Sequence, residues 1–251
     1  MNYNPYSLKG KSVLITGASS GIGQATAIEC SKLGARVIIT GRNKERLNQT
    51  YLSLENATEN HIQIIADISR EEQIKELVDQ MPKLDGCVNN AGIVKLLPTL
   101  FVSQEEISKM QQINLIAPIL LTKYLVKKKR LNNPASIVFT SSISGVYRVS
   151  LGNGMYSTTK CGIDAFMRTA ALELAPKGIR CNSVNPAMVE TSIINRGQLT
   201  VEQYDADRKK YPLGRYGTPM DVALAIIYLL SDASLWMTGT ALKIDGGITL
   251  N

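Results

Sequence analysis

The chain has 251 residues, 44% hydrophobic, 20% charged and 6% aromatic, with a formal net charge of +7. This length suits one large α/β core, and mixed charges with few aromatics argue against a nucleic-acid binder built on a basic, aromatic stripe. A single histidine, His61, and four scattered cysteines, Cys30, Cys87, Cys161 and Cys181, offer no metal-ligand pattern and no C-x-x-C pair, so no metal is expected. The cysteines read as small core residues in a reducing compartment. No signal-peptide core is visible at the N-terminus. The longest apolar stretch, "INLIAPILL", is interrupted by Asn114 and Pro118, so the expected address is cytoplasmic, with no membrane partner.

In chain order, short β-branched runs alternate with longer segments of helical period. The first strand, "SVLIT", enters Gly17-Ala18-Ser19-Ser20-Gly21-Ile22-Gly23 and then a helix. Two readings compete there. Gly17 to Gly21 satisfies the G-x-S-x-G pattern of a serine nucleophile, and the same glycines make a phosphate cradle whose backbone N–H groups converge at a helix N-terminus. A hydrolase needs a histidine late in the chain. The only one, His61, precedes the third strand and reads as a surface residue, which favours the cradle.

"RVIIT" follows and ends at Gly41-Arg42; "IQIIA", "GCVNN" and "SIVFT" are the next strands. "SIVFT" delivers Ser142, and the following helix carries Tyr156 and Lys160 four residues apart, hence on one face. A hydroxyl, a phenol and an ammonium are the parts needed to move a proton on a carbonyl or alcohol oxygen. "CNSVNP" and "ALKID" complete about seven strands, separated by an irregular stretch at 187–217 and the helix "PMDVALAIIYLLSD". The alternation implies a doubly wound parallel sheet with helices on both faces, as a single domain over 1–251. The irregular stretch reads as a substrate lid, because ligands of such sheets bind at the strand ends.

Taken in order, Thr16-Gly17-Ala18-Ser19-Ser20-Gly21-Ile22-Gly23, Ala66-Asp67-Ile68, Asn89-Asn90-Ala91-Gly92, Asn114, Ser142 and Tyr156-x-x-x-Lys160 resemble the short-chain dehydrogenase/reductase family over nearly the whole chain. The resemblance implies a Rossmann-type fold and a carbonyl/alcohol oxidoreductase. It implies Tyr156 as general acid/base, Ser142 as hydrogen-bond partner of the reacting oxygen and Asn114 as organiser of a water relay to Lys160. Lys160 would hold the cofactor ribose and lower the phenol pKa. The implied cofactor contacts are Gly17, Ser19, Ser20, Gly21, Ile22 and Gly23 at the phosphates, Arg42 at the ribose edge, Asp67 and Ile68 at the adenine and Asn90, Ala91 and Gly92 at the ribose. Tyr156, Lys160, Pro186, Val189 and Thr191 complete the nicotinamide side, with Thr191 on the carboxamide. Ala187 departs from the family, where glycine is usual, and sets a methyl near the expected nicotinamide.

An NAD site would end the second strand with an acid on the ribose 2′-hydroxyl. Gly41-Arg42 has none, and a guanidinium forks onto a phosphate, so NADP(H) is expected over NAD(H); the plainer alternative is a solvated turn arginine. The first expectation is a carbonyl reductase resembling the 3-oxoacyl-carrier-protein reductases, in which basic residues similar to Lys127 to Arg130 help dock an acidic carrier protein; a second basic docking position of those enzymes is Leu172 here. Positive charge at a helix C-terminus explains the first group structurally as well. Hydroxysteroid, sugar-alcohol and other small carbonyl substrates remain alternatives, as does a non-catalytic NADP-binding regulator. Apolar helices around Asn114 and Tyr156 imply a homotetramer or dimer, and no nucleic acid is expected as partner.

Overall fold

A computed structural model describes residues 3–56, 60–191 and 200–250. Among the described residues, seven parallel strands form one sheet: β1 (Ser12–Thr16), β2 (Arg36–Gly41), β3 (Ile62–Ile65), β4 (Leu84–Asn89), β5 (Leu131–Thr140), β6 (Ile179–Pro186) and β7 (Ala241–Ile244). Their spatial order is β3-β2-β1-β4-β5-β6-β7, so the chain reverses its direction of travel between β1 and β4. Every expected strand is present, because Val- and Ile-rich runs buried on both faces are what a covered parallel sheet requires.

Among the described residues there are eight α-helices, α1 (Gly21–Lys32), α2 (Lys44–Leu52), α3 (Glu71–Asp79), α4 (Gln104–Gln111), α5 (Ala117–Lys127), α6 (Gly154–Leu174), α7 (Val201–Arg208) and α8 (Pro219–Leu230), of which α7 lies apart from the sheet. Strand alternation divides the core. Leu14, Ile38, Cys87, Ile137 and Cys181 face the side covered by α3, α5 and α6, while Val13, Ile15, Val37, Val88 and Val184 face α1 and α8. Helix starts are set by side chains: Asn43 accepts from the Arg46 N–H at 2.8 Å, and Thr200 and Thr218 form capping boxes with Gln203 and Asp221.

Three cysteines, Cys30, Cys87 and Cys181, are buried and Cys161 is half-buried, all with free thiols. His61 is half-buried rather than a surface residue: its Nδ1 accepts from the Val37 N–H at 3.0 Å and its Nε2 faces the Glu55 carbonyl at 2.8 Å. It clamps the entry of β2. No helix among the described residues is long and apolar enough to cross a membrane.

The irregular stretch at 187–217 lies partly outside the described residues, at 192–199. Its ends are joined by a parallel bridge between Val189 and Gly217. Within it, α7 packs through aromatic edges: Tyr216 meets Tyr204 at 4.9 Å and Tyr211 at 5.2 Å between ring centres, and its hydroxyl donates to Asp207 at 2.7 Å. Ile143 and Ile248 complete this small cluster, and the Ala187 side chain packs against it.

Candidate active site

Because all neighbouring strands run parallel, their C-terminal ends share one edge, and the reversal between β1 and β4 opens a crevice there. The glycine loop fills its floor. Gly17 has φ +65°, and a Cβ on it would stand 2.8 Å from the Ala91 Cα; on Gly23 it would stand 2.4 Å from the Gly17 carbonyl oxygen. Neither position tolerates a side chain. Ser20, at the N-cap of α1, makes no side-chain cap, and the first turn carries no acid, so the helix presents open N–H groups to an anion. Thr191 meets the same loop, its Cγ2 3.2 Å from where a Gly21 Cβ would lie. Ser19 and Ile22 are half-buried in the cradle. Ser19 finds no histidine here, since His61 is held elsewhere, and the nucleophile reading falls.

At the end of β2, Gly41 faces Ser19: a Cβ there would stand 3.5 Å from the Ser19 Oγ. Arg42 follows as an exposed side chain beside this end of the cradle. After β3, the Asp67 carboxylate accepts from the Ser69 N–H at 3.0 Å and hydroxyl at 2.8 Å, while Ile68 packs into the core. After β4, Asn90 braces the loop: its Nδ2 donates to the Thr16 and Gly17 carbonyls at 3.1 and 3.4 Å, and Thr16 Oγ1 accepts from both the Asn90 and Ala91 N–H groups at 3.0 Å. Both Asn90 amide donations to the loop therefore serve its structure.

Asn114 lies in a π-helical turn, Gln112–Ile116, between α4 and α5. The local cause is legible: Pro118 has no N–H to give the carbonyl four residues back, which is that of Asn114, so a regular turn cannot close there. The Asn114 side chain is buried and makes paired 2.8 Å bonds to the Ile93 N–H and carbonyl, plus 3.2 Å to Thr159 Oγ1. Gly92 separates it from the lysine: a Cβ there would sit 3.3 Å from Asn114 Oδ1 and 3.7 Å from Lys160 Nζ.

Ser142 is buried just beyond β5, its Oγ 3.5 Å from the Pro186 carbonyl and accepting from the Ser144 N–H at 3.1 Å. From α6, Lys160 buries its ammonium and donates to the Thr140 carbonyl at 2.7 Å, with the Tyr156 ring centre 5.5 Å away. Burial pushes the Lys160 amine down to about 8, with the Asp164 charge pulling the other way. Burial also pushes the Tyr156 phenol up to about 12, opposed by the Ser142 hydroxyl. Desolvation of the phenolate is thus the dominant influence on the phenol, against which the expected pull of Lys160 would act. The phenol is therefore held in its protonated form across the neutral range.

Pro186 ends β6 and Val189 is buried beyond it, so both stand at the same edge as Ser142. By contrast, Lys127 to Arg130 precede β5. The 10-residue strand separates them from Ser142 by roughly 30 Å at the usual rise. Lys128 pairs with Asp79 at 2.6 Å and Arg130 donates to the Asp79 carbonyl at 2.9 Å, while α5 itself ends at Lys127. These contacts give Lys128 and Arg130 a structural role.

A family model described as "Enoyl-(Acyl carrier protein) reductase" matches residues 17–249. The chain is 36% identical over 244 residues to the 3-oxoacyl-[acyl-carrier-protein] reductase FabG of Rickettsia felis, covering 97% of this chain and 98% of the relative. Among solved structures, a short-chain type dehydrogenase/reductase from Mycobacterium marinum superposes with a TM-score of 0.89 at 31% identity, covering 98% of each chain. A candidate 2-deoxy-d-gluconate 3-dehydrogenase from Agrobacterium tumefaciens, solved with bound NADP, gives 0.88 at 26% identity, covering 99% of this chain and all of that one. With the crevice, the side-chain-free cradle and the hydroxyl, phenol and ammonium at one sheet edge, these matches place the chain in the short-chain dehydrogenase/reductase family, nicotinamide-dependent oxidoreductases of CH–OH and C=O groups.

Proposed function

We propose that the protein is an NADP(H)-dependent enzyme interconverting a carbonyl and a secondary alcohol, with a 3-oxoacyl group borne by a carrier protein as its substrate. One observation carries the chemistry: Ser142, Tyr156 and Lys160 meet at the strand edge beside a cradle in which Gly17 and Gly23 leave no room for a Cβ. The cradle suits a pyrophosphate, and Arg42 beside it suits a 2′-phosphate. Asp67 and Ile68 are assigned to the adenine, Asn90, Ala91 and Gly92 to the ribose side, and Pro186, Val189 and Thr191 to the nicotinamide. When bound, the cofactor supplies or takes the hydride.

The protein's own work is proton transfer and positioning. Ser142 donates to the substrate oxygen, and Tyr156, protonated across the neutral range, gives its proton to that oxygen as negative charge develops there. Lys160, tied to the Thr140 carbonyl, brings a positive charge that stabilises the resulting phenolate. Asn114 holds Ile93 beside it, shaping the wall through which a water relay to Lys160 would run. The stretch 187–217 is assigned as a lid over a single domain, and the protein as a homotetramer or dimer.

The carrier-bound substrate rests on the similarity to the FabG relative. A sugar substrate is the second reading, favoured by 34% identity over 253 residues to an L-rhamnose 1-dehydrogenase (NAD(P)(+)) of Azotobacter vinelandii, covering 96% of this chain and 97% of that one. A panel of 3-oxoacyl thioesters, with and without carrier protein, and of sugars, assayed with each nicotinamide cofactor, separates them. Turnover of sugars but of no 3-oxoacyl thioester would replace the first reading with the second.

A further inference from the structure

Behind the reacting groups lies a set of polar side chains that the chemistry above does not use. Asp164, one helical turn beyond Lys160 on α6, is 1% exposed; Asn185 and Ser183 on β6 are fully buried. The Asn185 Nδ2 donates to the Ser142 carbonyl at 3.0 Å and to Asp164 Oδ2 at 2.7 Å, while its Oδ1 accepts from the Ser183 hydroxyl at 3.0 Å. The orientation of this amide is unambiguous, because a backbone carbonyl and a carboxylate can only accept. The second Asp164 oxygen, Oδ1, is buried without a partner among the described residues. A buried carboxylate with one oxygen unpaired is costly, and its retention calls for a compensating positive charge or a role.

We propose that Asp164 and Asn185 form a buried positioning pair for the reaction: Asn185 fixes the main chain that carries Ser142, and Asp164 holds both the Asn185 amide and the charge on Lys160. This rests on the roles given above to Ser142 and Lys160. Two links of different kind meet in one carboxylate. The link to Ser142 is mechanical, two hydrogen bonds through a single amide nitrogen, with the Ser183 hydroxyl holding the amide oxygen at its other end. The link to Lys160 is electrostatic: Lys160 makes no close ion pair among the described residues, and the Asp164 charge is what opposes loss of its proton. The titratable groups facing Asp164 are Lys160 and Cys161 on its own helix, with Tyr156 beyond Lys160. Among the described residues, the strand ends opposite offer neutral groups, the Thr140 and Ser142 carbonyls and the side chains of Ser141, Ser142, Ser183 and Asn185.

The two links are separable by experiment. Asp164→Asn keeps an acceptor for Asn185 and removes the charge; Asn185→Ala and the milder Ser183→Ala loosen Ser142 and leave the charge. NADPH binding followed by fluorescence between pH 6 and 10 needs no substrate. In Asp164→Asn, the loss of affinity with rising pH is expected about one pH unit earlier than in the wild type, and in Ser183→Ala at the wild-type position. Reduction of ethyl acetoacetate by NADPH tests the other link. Asn185→Ala is expected to lower kcat on the order of 10-fold in the wild type but not further in a Ser142→Ala background, since both act through the same hydroxyl. Thermal melts identify variants that do not fold, for which Ser183→Ala stands in, with a smaller loss and the same non-additivity. Coincident binding titrations for wild type and Asp164→Asn, or equal losses from Asn185→Ala and Ser183→Ala with and without Ser142, would overturn the proposal. Wild-type turnover by Ser142→Ala, or none by the wild type, would count against the reading of the site, leaving the binding titration to judge the pair.

Discussion

Lys160 Nζ stands 5.5 Å from the centre of the Tyr156 ring while donating a 2.7 Å hydrogen bond to the Thr140 carbonyl, so the ammonium is tied to the end of β5 with the phenol beside it. Tyr156→Phe removes the transferable proton and keeps the ring. We expect kcat to fall by about 10²- to 10⁴-fold with NADPH affinity nearly unchanged. Lys160→Ala is expected to damage both. Steady-state kinetics with a fluorescence binding assay checks the pair, and near-native turnover by Tyr156→Phe would remove the proposed mechanism.

Burial of Lys160 has a thermodynamic consequence. Its folded value of about 8 lies below the ordinary 10.5, so between these the unfolded chain binds the proton more tightly than the folded one. The protonated lysine therefore costs the fold stability below about 8, and the cost fades as pH rises from about 8 toward 10. Lys160→Met lacks this titration. Melts of both proteins across that window should show the melting temperature of the wild type rising relative to Lys160→Met. A pH-independent difference would contradict the burial argument.

At the end of β2, a Cβ on Gly41 would find its nearest neighbours at 3.5 and 3.6 Å, ordinary contact distances. Gly41→Asp is therefore expected to fold, to repel a 2′-phosphate and to turn preference toward NAD(H). Arg42→Ala should lower kcat/KM for NADPH roughly 10- to 100-fold, the worth of a charge-assisted hydrogen bond of about 1.5–3 kcal/mol, with little change for NADH. Equal kcat/KM for the two cofactors in the wild type would dismiss Arg42 as a phosphate ligand.

On α6, Leu172 is 79% exposed, and Ile116 beside the start of α5 is 38% exposed, an apolar cost that self-association would relieve. Sedimentation at assay concentration is expected to give a dimer or tetramer, and Leu172→Asp to shift it toward monomer with the melting curve of the subunit retained. A fully active wild-type monomer would end the assignment.

The strands, the glycine cradle and the Tyr156–Lys160 pair were all readable in the sequence, because β-branched runs, the absence of a side chain and an i, i+4 spacing are local facts. Even the π-helical turn at Asn114 has a local signal, the proline four residues later. What folding alone decided depends on groups far apart in the chain. The Asn185 amide reaches Asp164, 21 residues away in sequence and on another element, at 2.7 Å. Lys128 was a helix-end charge until Asp79, 49 residues earlier, closed on it. The clearest case is Tyr156: its residue type promised a phenol near an ammonium, yet burial among its neighbours drives the phenol up and the lysine down. Steric preference is carried by each residue and its nearest neighbours, whereas desolvation is a sum over everything that packs around a group, and only the assembled tertiary structure supplies that sum.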